Sequence, residues 1–365
     1  MKEKKDKRNY GIDLLRIIAM FYVVLLHSFR PFILEMAPDR FAYYACWFFE
    51  IFAYCAVDIF AIITGYVSYR NKKRKGIFSN YIQLWLEVVF YCLIITIIFL
   101  IISPSEVPKK QLLYSFIPVL GRNYWYFTAY NGLVILMPIL DIGLRKISKT
   151  DAKKVFLIIV FFFSIYAVMN DGFGLYGGYT VIWLVILYIL GAIIKKCDLF
   201  SKLKTRTIII IMIFLFLSTV IIKYIGKDLI VANIYFSNIF SVNYISPTIL
   251  GISILYIILF SKINFNEKIK KIITFFSPTT FAIYLLNSNY CTSLVLSKFY
   301  ISLVNKKTIV MITVIILFDI QFVIIAMLID KIRIHIFNKL QVKEKTKKIE
   351  IILNKMVKKL TSILD

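Results

Sequence analysis

Apolar runs of bilayer length recur along the whole chain, and they settle its class before any single motif is considered. They cover residues 12–34, 41–69, 79–102, 124–144, 155–170, 178–194, 207–225, 244–261, 275–297 and 308–330, with edges good to a few residues. A helix that crosses the hydrocarbon core needs about 20 mostly apolar residues, so the pattern predicts an all-α polytopic membrane protein of about ten transmembrane helices. A soluble fold is excluded by composition: 60% hydrophobic residues, 32 Phe among 365 residues and a mean hydropathy of +0.79 are more than a globular core can bury. The first run is long, carries Arg16 and leads into further runs, unlike a cleaved signal peptide.

Charge orients the runs. With the N-terminus cytoplasmic, segments 1–10, 70–78, 145–154, 195–206, 261–272 and 331–365 all fall inside and carry 34 of the 45 Lys and Arg. The positive-inside rule then predicts a multi-pass protein of the plasma membrane with both termini cytoplasmic. The same bias, with attraction to an anionic leaflet, accounts for the net charge of +25 without nucleic-acid binding, so the lipid bilayer is the expected partner. Residues 1–336 form the expected transmembrane domain. Residues 337–365 read as a basic amphipathic cytoplasmic tail, with Ile349, Ile352, Leu353, Met356 and Leu360 on one stripe among lysines. The five cysteines fall in or beside apolar runs without CxxC spacing, so neither a disulfide framework nor a metal site is expected.

Within the first run the exceptions to apolarity line up. From Arg16 to His27 is eleven steps at about 100° each, three turns plus about 20°, so both share a face, and Asp13 lies on the same stripe. An ionisable group at membrane depth costs at least about 2.5 kcal/mol, so three on one stripe point to a protein-lined or wet cavity. The alternative reading pairs Asp13 with Arg16 at the headgroups and leaves His27 as a hydrogen-bonded core histidine. Scarcity favours the site, because the only other histidine, His335, sits among basic residues beyond the last apolar run. In the second run Glu50 falls at a depth comparable to His27 and is able to orient it or bond a neighbouring helix or water. Asp58 lies nearer the level of Arg16, where a structural ion pair is the simpler expectation. Gly65 permits close approach of a neighbouring helix or a ligand.

Four further stretches are more polar than an anchor requires. Three open spans at the outer face: Tyr124 to Asn131, Gly177-Gly178-Tyr179, and Tyr244 to Pro247. The fourth, Asn287-Ser288-Asn289, lies inside the ninth span. Most of the aromatics read as an interfacial belt. Trp125, Thr128 and Asn131, at helical spacing, are expected to share an outward-facing sugar cleft, since aromatic faces and amides suit hydroxyl-rich ligands.

Taken together these stretches resemble the membrane-bound acyltransferase-3 family, and in particular its polysaccharide O-acetyltransferase branch. The resemblance spans nearly all of the chain. It is carried by Arg16 and His27 as an Arg-x10-His pair after Asp13, by Phe60 to Gly65 where the family usually has FFxxSG, by WYFTAYNGLVILMP, by GGYTVIWLVILYILGA and by TFAIYLLNS. It implies acetyl-coenzyme A taken from the cytoplasmic side and transfer of its acetyl group to a carbohydrate hydroxyl outside. It implies His27 as the catalytic histidine with Arg16 as its basic partner. Asp13 and Glu50 complete the expected catalytic set on residue chemistry, because removing an alcohol proton needs a base near neutral pKa. Arg16 and the cluster Arg70, Lys72, Lys73 and Arg74 are the expected holders of the coenzyme A phosphates. Trp125, Thr128, Asn131 and Asn287 are the expected acceptor contacts. The chain departs from the family at Ala61 and Thr64, at Asn287, where a histidine often stands, and at the blurred spacing of its Arg70 to Lys75 cluster.

Two other classes compete. A transporter using the Asp13, Arg16 and His27 stripe as a relay would show an inverted repeat and matched broken helices near the midplane; neither is legible. A structural subunit of a polysaccharide-assembly complex explains the helices but leaves the buried charges without a role.

Overall fold

The computed structural model describes residues 8–364 apart from 38–39, 70–75, 122–123, 170, 226–229, 232–233 and 236–241. Its helices are α1 (Tyr10–Glu35), α2 (Phe41–Ala53), α3 (Ala56–Ser68), α4 (Ile77–Ile102), α5 (Gln111–Phe116), α6 (Trp125–Lys146), α7 (Lys149–Val160), α8 (Val181–Cys197), α9 (Thr205–Ile225), α10 (Pro247–Ser261), α11 (Glu267–Phe276), α12 (Thr280–Asn287), α13 (Tyr290–Ile301), α14 (Thr308–Lys339) and α15 (Val342–Leu364). Apart from a two-stranded antiparallel pair, Ile230–Val231 with Ile234–Tyr235, the described chain is helical, and it is an all-α polytopic membrane protein. Among the described residues, seven stretches are long and apolar enough to cross a bilayer. The other three expected spans form on shorter apolar helices: α7 extended by a π-helical turn at Phe161–Tyr166, α8 and α10.

Two spans expected to be continuous are interrupted. Residues 41–69 divide at Tyr54-Cys55, and residues 275–297 divide at Ser277–Thr279 and again at Ser288-Asn289, where the Asn289 side chain accepts from the Cys291 amide and caps α13. Broken helices are therefore present, contrary to the reading of the sequence. Neither the Tyr54-Cys55 nor the Ser288-Asn289 break contains the proline or glycine that usually announces one.

The central element is α1, packed against α2, α3, α10, α11, α12, α13 and α14 and buried over most of its length. Asn9 starts it, accepting from the Ile12 amide through Oδ1 while its Nδ2 donates to the Ser261 carbonyl. Pro31 has no N–H to offer the carbonyl four residues earlier, so the ladder is open at the turn that carries His27. The basic segments meet at one end of the bundle. Arg8 donates to Ser277, Lys262 to the Ser201 and Leu203 carbonyls, Lys331 to the Phe275 carbonyl, and Lys196 to the Leu144 and Ile147 carbonyls. These lysines satisfy chain-end carbonyls as well as marking a face.

The helices α3 and α8 cross closely. A Cβ on Gly65 would lie 1.9 Å from the Tyr188 carbonyl oxygen, and one on Gly191 would lie 2.1 Å from that of Ile62. Gly65 thus admits a helix, not a ligand, and the reciprocal pair explains why a glycine sits inside each apolar run. Gly65→Ala and Gly191→Ala should each force the two backbones apart and cost about 1–3 kcal/mol, the usual scale of overpacking. A lower thermal midpoint of the detergent-solubilised protein would register it, and an unchanged midpoint would mean that the crossing is looser than drawn here.

Candidate active site

By helix rise His27 stands about 25 Å from the basic end of α1 and about 12 Å short of its other end. Its ring opens on two adjoining cavities. The inner one, of ≈320 Å³, is lined by Met20, Val23, Leu26, His27, Arg30, Glu50, Val57 and Phe60 and by the rings of Tyr54, Trp125, Tyr126, Tyr179, Tyr244 and Tyr284. The outer one, of ≈490 Å³, shares His27, Arg30, Trp125 and Tyr284 and adds Pro31, Leu34, Glu35, Asn287, Ser288, Ser293, Ser297 and Ile301. The helix breaks lie here: Tyr54 from the first lines the inner cavity, Ser288 from the second the outer.

The histidine is oriented by the end of α12. His27 Nδ1 donates to Asn287 Oδ1, with Ser288 Oγ 3.5 Å from the same nitrogen. A carbonyl oxygen only accepts, so Nδ1 carries the proton and Nε2 keeps its lone pair. The amide placed among the acceptor contacts is thus the direct partner of the imidazole, across 260 residues of sequence. Beside the cavities the buried Asn287 Nδ2 has no partner among the described residues, and the Tyr284 hydroxyl, whose oxygen faces the backbone amides of Tyr126 and Phe127, has no acceptor there for its proton.

Glu50 reaches this cavity but not the histidine. Its Oε1 lies 3.8 Å from Arg30, and its buried Oε2 has no partner among the described residues. Asp58 does not pair with Arg16, as the sequence led us to expect. It is fully buried and accepts from the Trp183 indole at 3.0 Å, because α8 crosses α3 so closely that the indole reaches it first.

Of the three residues expected in a sugar cleft, only Trp125 lines these cavities. Its ring packs 4.6 Å from Tyr179 and 5.9 Å from Tyr244, so the outer ends of α6, α8 and α10 converge on one aromatic wall instead of dispersing into a belt. Thr128 and Asn131 point elsewhere on α6: Asn131 Oδ1 accepts from Tyr81 at 2.6 Å, and Thr128 Oγ1 is buried without a partner among the described residues. Beyond the wall a third cavity, of ≈120 Å³, is lined by Phe60, Thr64, Leu84, Tyr126, Phe127, Tyr130 and Phe281. It shares Phe60 and Tyr126 with the inner cavity. Thr64 and Tyr130 sit one turn further toward the basic end, so the cavities are stacked along the bundle.

At that end Asp13 is bound by two guanidiniums, Arg8 at 2.5 Å and Arg16 at 3.4 Å. Arg16 is about 16 Å along α1 from His27, so the two share a face without touching. Arg70, Lys72, Lys73 and Arg74 lie outside the described residues.

Three polar groups at or near the site went unnoticed in the sequence. Arg30 follows His27 by one turn, and Tyr284 precedes Asn287 by one. Asp319, in the last apolar run, accepts from Ser28 Oγ at 2.9 Å and Tyr300 OH at 2.8 Å and so braces the turn of α1 that carries the histidine. A lone carboxylate in an apolar helix is itself a signal.

Compared with known proteins, residues 9–330 match the acyltransferase domain that defines the acyltransferase-3 family. No curated protein and no solved structure matches the chain.

Proposed function

The chain belongs to the acyltransferase-3 family, and from that premise we propose that it is an integral-membrane O-acetyltransferase of the polysaccharide branch, moving acetyl from cytoplasmic acetyl-coenzyme A to a hydroxyl of a cell-surface or exported polysaccharide. The observation that carries this reading is the single imidazole fixed by Asn287 with Nε2 as its basic nitrogen, on a cavity walled by Trp125, Tyr179 and Tyr244. Aromatic faces and a neutral base are what a carbohydrate hydroxyl needs in order to be held and deprotonated.

In the step we propose, Nε2 takes the proton of the acceptor hydroxyl as its oxygen adds to the thioester carbonyl. The tetrahedral intermediate then collapses, the carbon–sulfur bond breaks, and the departing thiolate takes the proton back from the imidazolium. Asn287 Nδ2 and Tyr284 OH are the donors available to the oxyanion. Glu50, beside Arg30, shapes the charge of the cavity, while Asn287 keeps the imidazole in one tautomer through the cycle. The donor enters from the basic end. Arg16, Arg8 and the Arg70 to Arg74 cluster hold its phosphates, and the pantetheine arm spans the stacked cavities past Thr64 and Tyr130 to reach His27. Thr128 and Asn131 flank that route; Trp125 meets the sugar. In this reading the basic end and both termini are cytoplasmic, in the plasma membrane.

Sealed membrane vesicles test donor, acceptor and sidedness together. Inverted vesicles given radiolabelled acetyl-coenzyme A should incorporate label into polysaccharide that mild alkali releases as acetate, whereas right-side-out vesicles should do so only after permeabilisation. Equal labelling of both orientations without permeabilisation removes the transmembrane arrangement. Label that resists alkali removes the ester.

A further inference from the structure

The throat where the inner and outer cavities join holds a cation that the chemistry above leaves unused. Arg30 is three residues beyond His27 on α1 and lines both cavities with it. Its side chain is 52% exposed, and its ion partner among the described residues is Glu50 at 3.8 Å, beyond hydrogen-bond reach. A guanidinium offers five donors in a planar fork that matches carboxylate and phosphate oxygens, and one long ion pair leaves that fork open.

Neutralising Glu50 does not by itself require Arg30. Lys223, 3.9 Å from the centre of the Trp47 ring, is a second cation on the Glu50 side of the bundle, although it lines neither cavity. Among the described residues the other acid of the two cavities, Glu35, lies five residues further along α1, about 7.5 Å toward the outer rim. At the throat itself the Arg30 guanidinium therefore meets one carboxylate oxygen, at 3.8 Å, and the rest of its fork stays uncommitted. Side chains three apart on a helix stand about 5–6 Å apart at Cβ, so a ligand that brings a hydroxyl to His27 places its neighbouring substituents at Arg30. Ser288, Ser293 and Ser297 add hydroxyls along the outer cavity, a lining suited to a polar chain.

We propose that Arg30 grips an anionic group of the acceptor, a carboxylate or a phosphate carried beside the hydroxyl that is acylated, so that the acceptor is an anionic glycan. This rests on the acyl-transfer reading above. It makes Arg30 a specificity-determining residue: the fork closes on the anion and sets which hydroxyl faces Nε2.

Purified protein in liposomes, supplied with acetyl-coenzyme A, tests it against three short glycans matched in length: one neutral, one carrying carboxylates and one carrying phosphodiesters. At least one anionic glycan should exceed the neutral one by about ten-fold or more in kcat/KM, the scale of a charge-assisted hydrogen bond. Which of the two does so names the source of the charge. Arg30→Gln should erase that preference, mainly through the KM of the anionic glycan, and Arg30→Lys should restore only part of it. If Arg30 serves only to neutralise Glu50, the double variant Arg30→Gln/Glu50→Gln will regain the wild-type preference, and the proposal falls. Transfer to all three glycans without preference overturns the proposal and leaves the acyl-transfer reading standing. Transfer to none of them overturns the carbohydrate acceptor and this inference with it.

Discussion

His27→Ala should abolish acetyl transfer, with a loss of about 10²–10⁴-fold, the range contributed by a positioned general base. The variant should still insert and accumulate. The ring lines two cavities instead of filling the core, and its one strong contact is the bond to Asn287, so little packing is removed. The buried amide of Asn287 then loses its partner, which costs stability on the order of 1–3 kcal/mol but leaves the helix contacts of α12 with α1 and α14 in place. Transfer of labelled acetyl, normalised to the amount of folded protein, measures the effect. Activity within a few-fold of wild type would remove His27 from the chemistry and return it to the core-histidine reading.

How much of this was legible follows from which forces act locally. Apolar run length dictates the spans, so the all-α polytopic fold can be read from sequence, and the Asp13, Arg16 and His27 stripe follows from helix period alone. Partners cannot be read that way. Asp58 sits at the right level for Arg16, yet level along the bundle says nothing about azimuth, and the Gly65 and Gly191 crossing delivers Trp183 to it instead. Glu50 matches His27 in depth and shares its cavity, but the orienting bond comes from Asn287, at the end of a helix whose break has no proline or glycine to announce it. The aromatics opening α6, α8 and α10 have the composition of an interfacial belt, and only tertiary packing distinguishes a belt from a wall. Arg30 and Asp319 needed no tertiary information: both are ionisable groups within or bordering apolar runs, and the rule that flagged His27 flags them too.

Arg16→Lys should also impair transfer, less severely than loss of the base, and through the donor. In the structure Asp13 Oδ2 is taken by Arg8 at 2.5 Å, while Arg16 reaches Oδ1 through one nitrogen at 3.4 Å. Arg8 is thus the tight counter-ion of Asp13, and Arg16 is tethered to it by a single guanidinium nitrogen. That is the arrangement of a fork held for a second anion, and a coenzyme A phosphate is the anion that the proposed route brings to this end of the bundle. Lysine keeps the charge but presents a compact ammonium that cannot hold Asp13 and a phosphate oxygen in one plane. The expected result is a rise of about ten-fold or more in the KM for acetyl-coenzyme A, with the acceptor KM unchanged because His27, where the acceptor hydroxyl is met, lies about 16 Å away along α1. Steady-state kinetics with each substrate varied in turn separates the two constants. A wild-type donor KM would reduce Arg16 to a generic positive charge, and a raised acceptor KM would move it from the donor route to the site around His27.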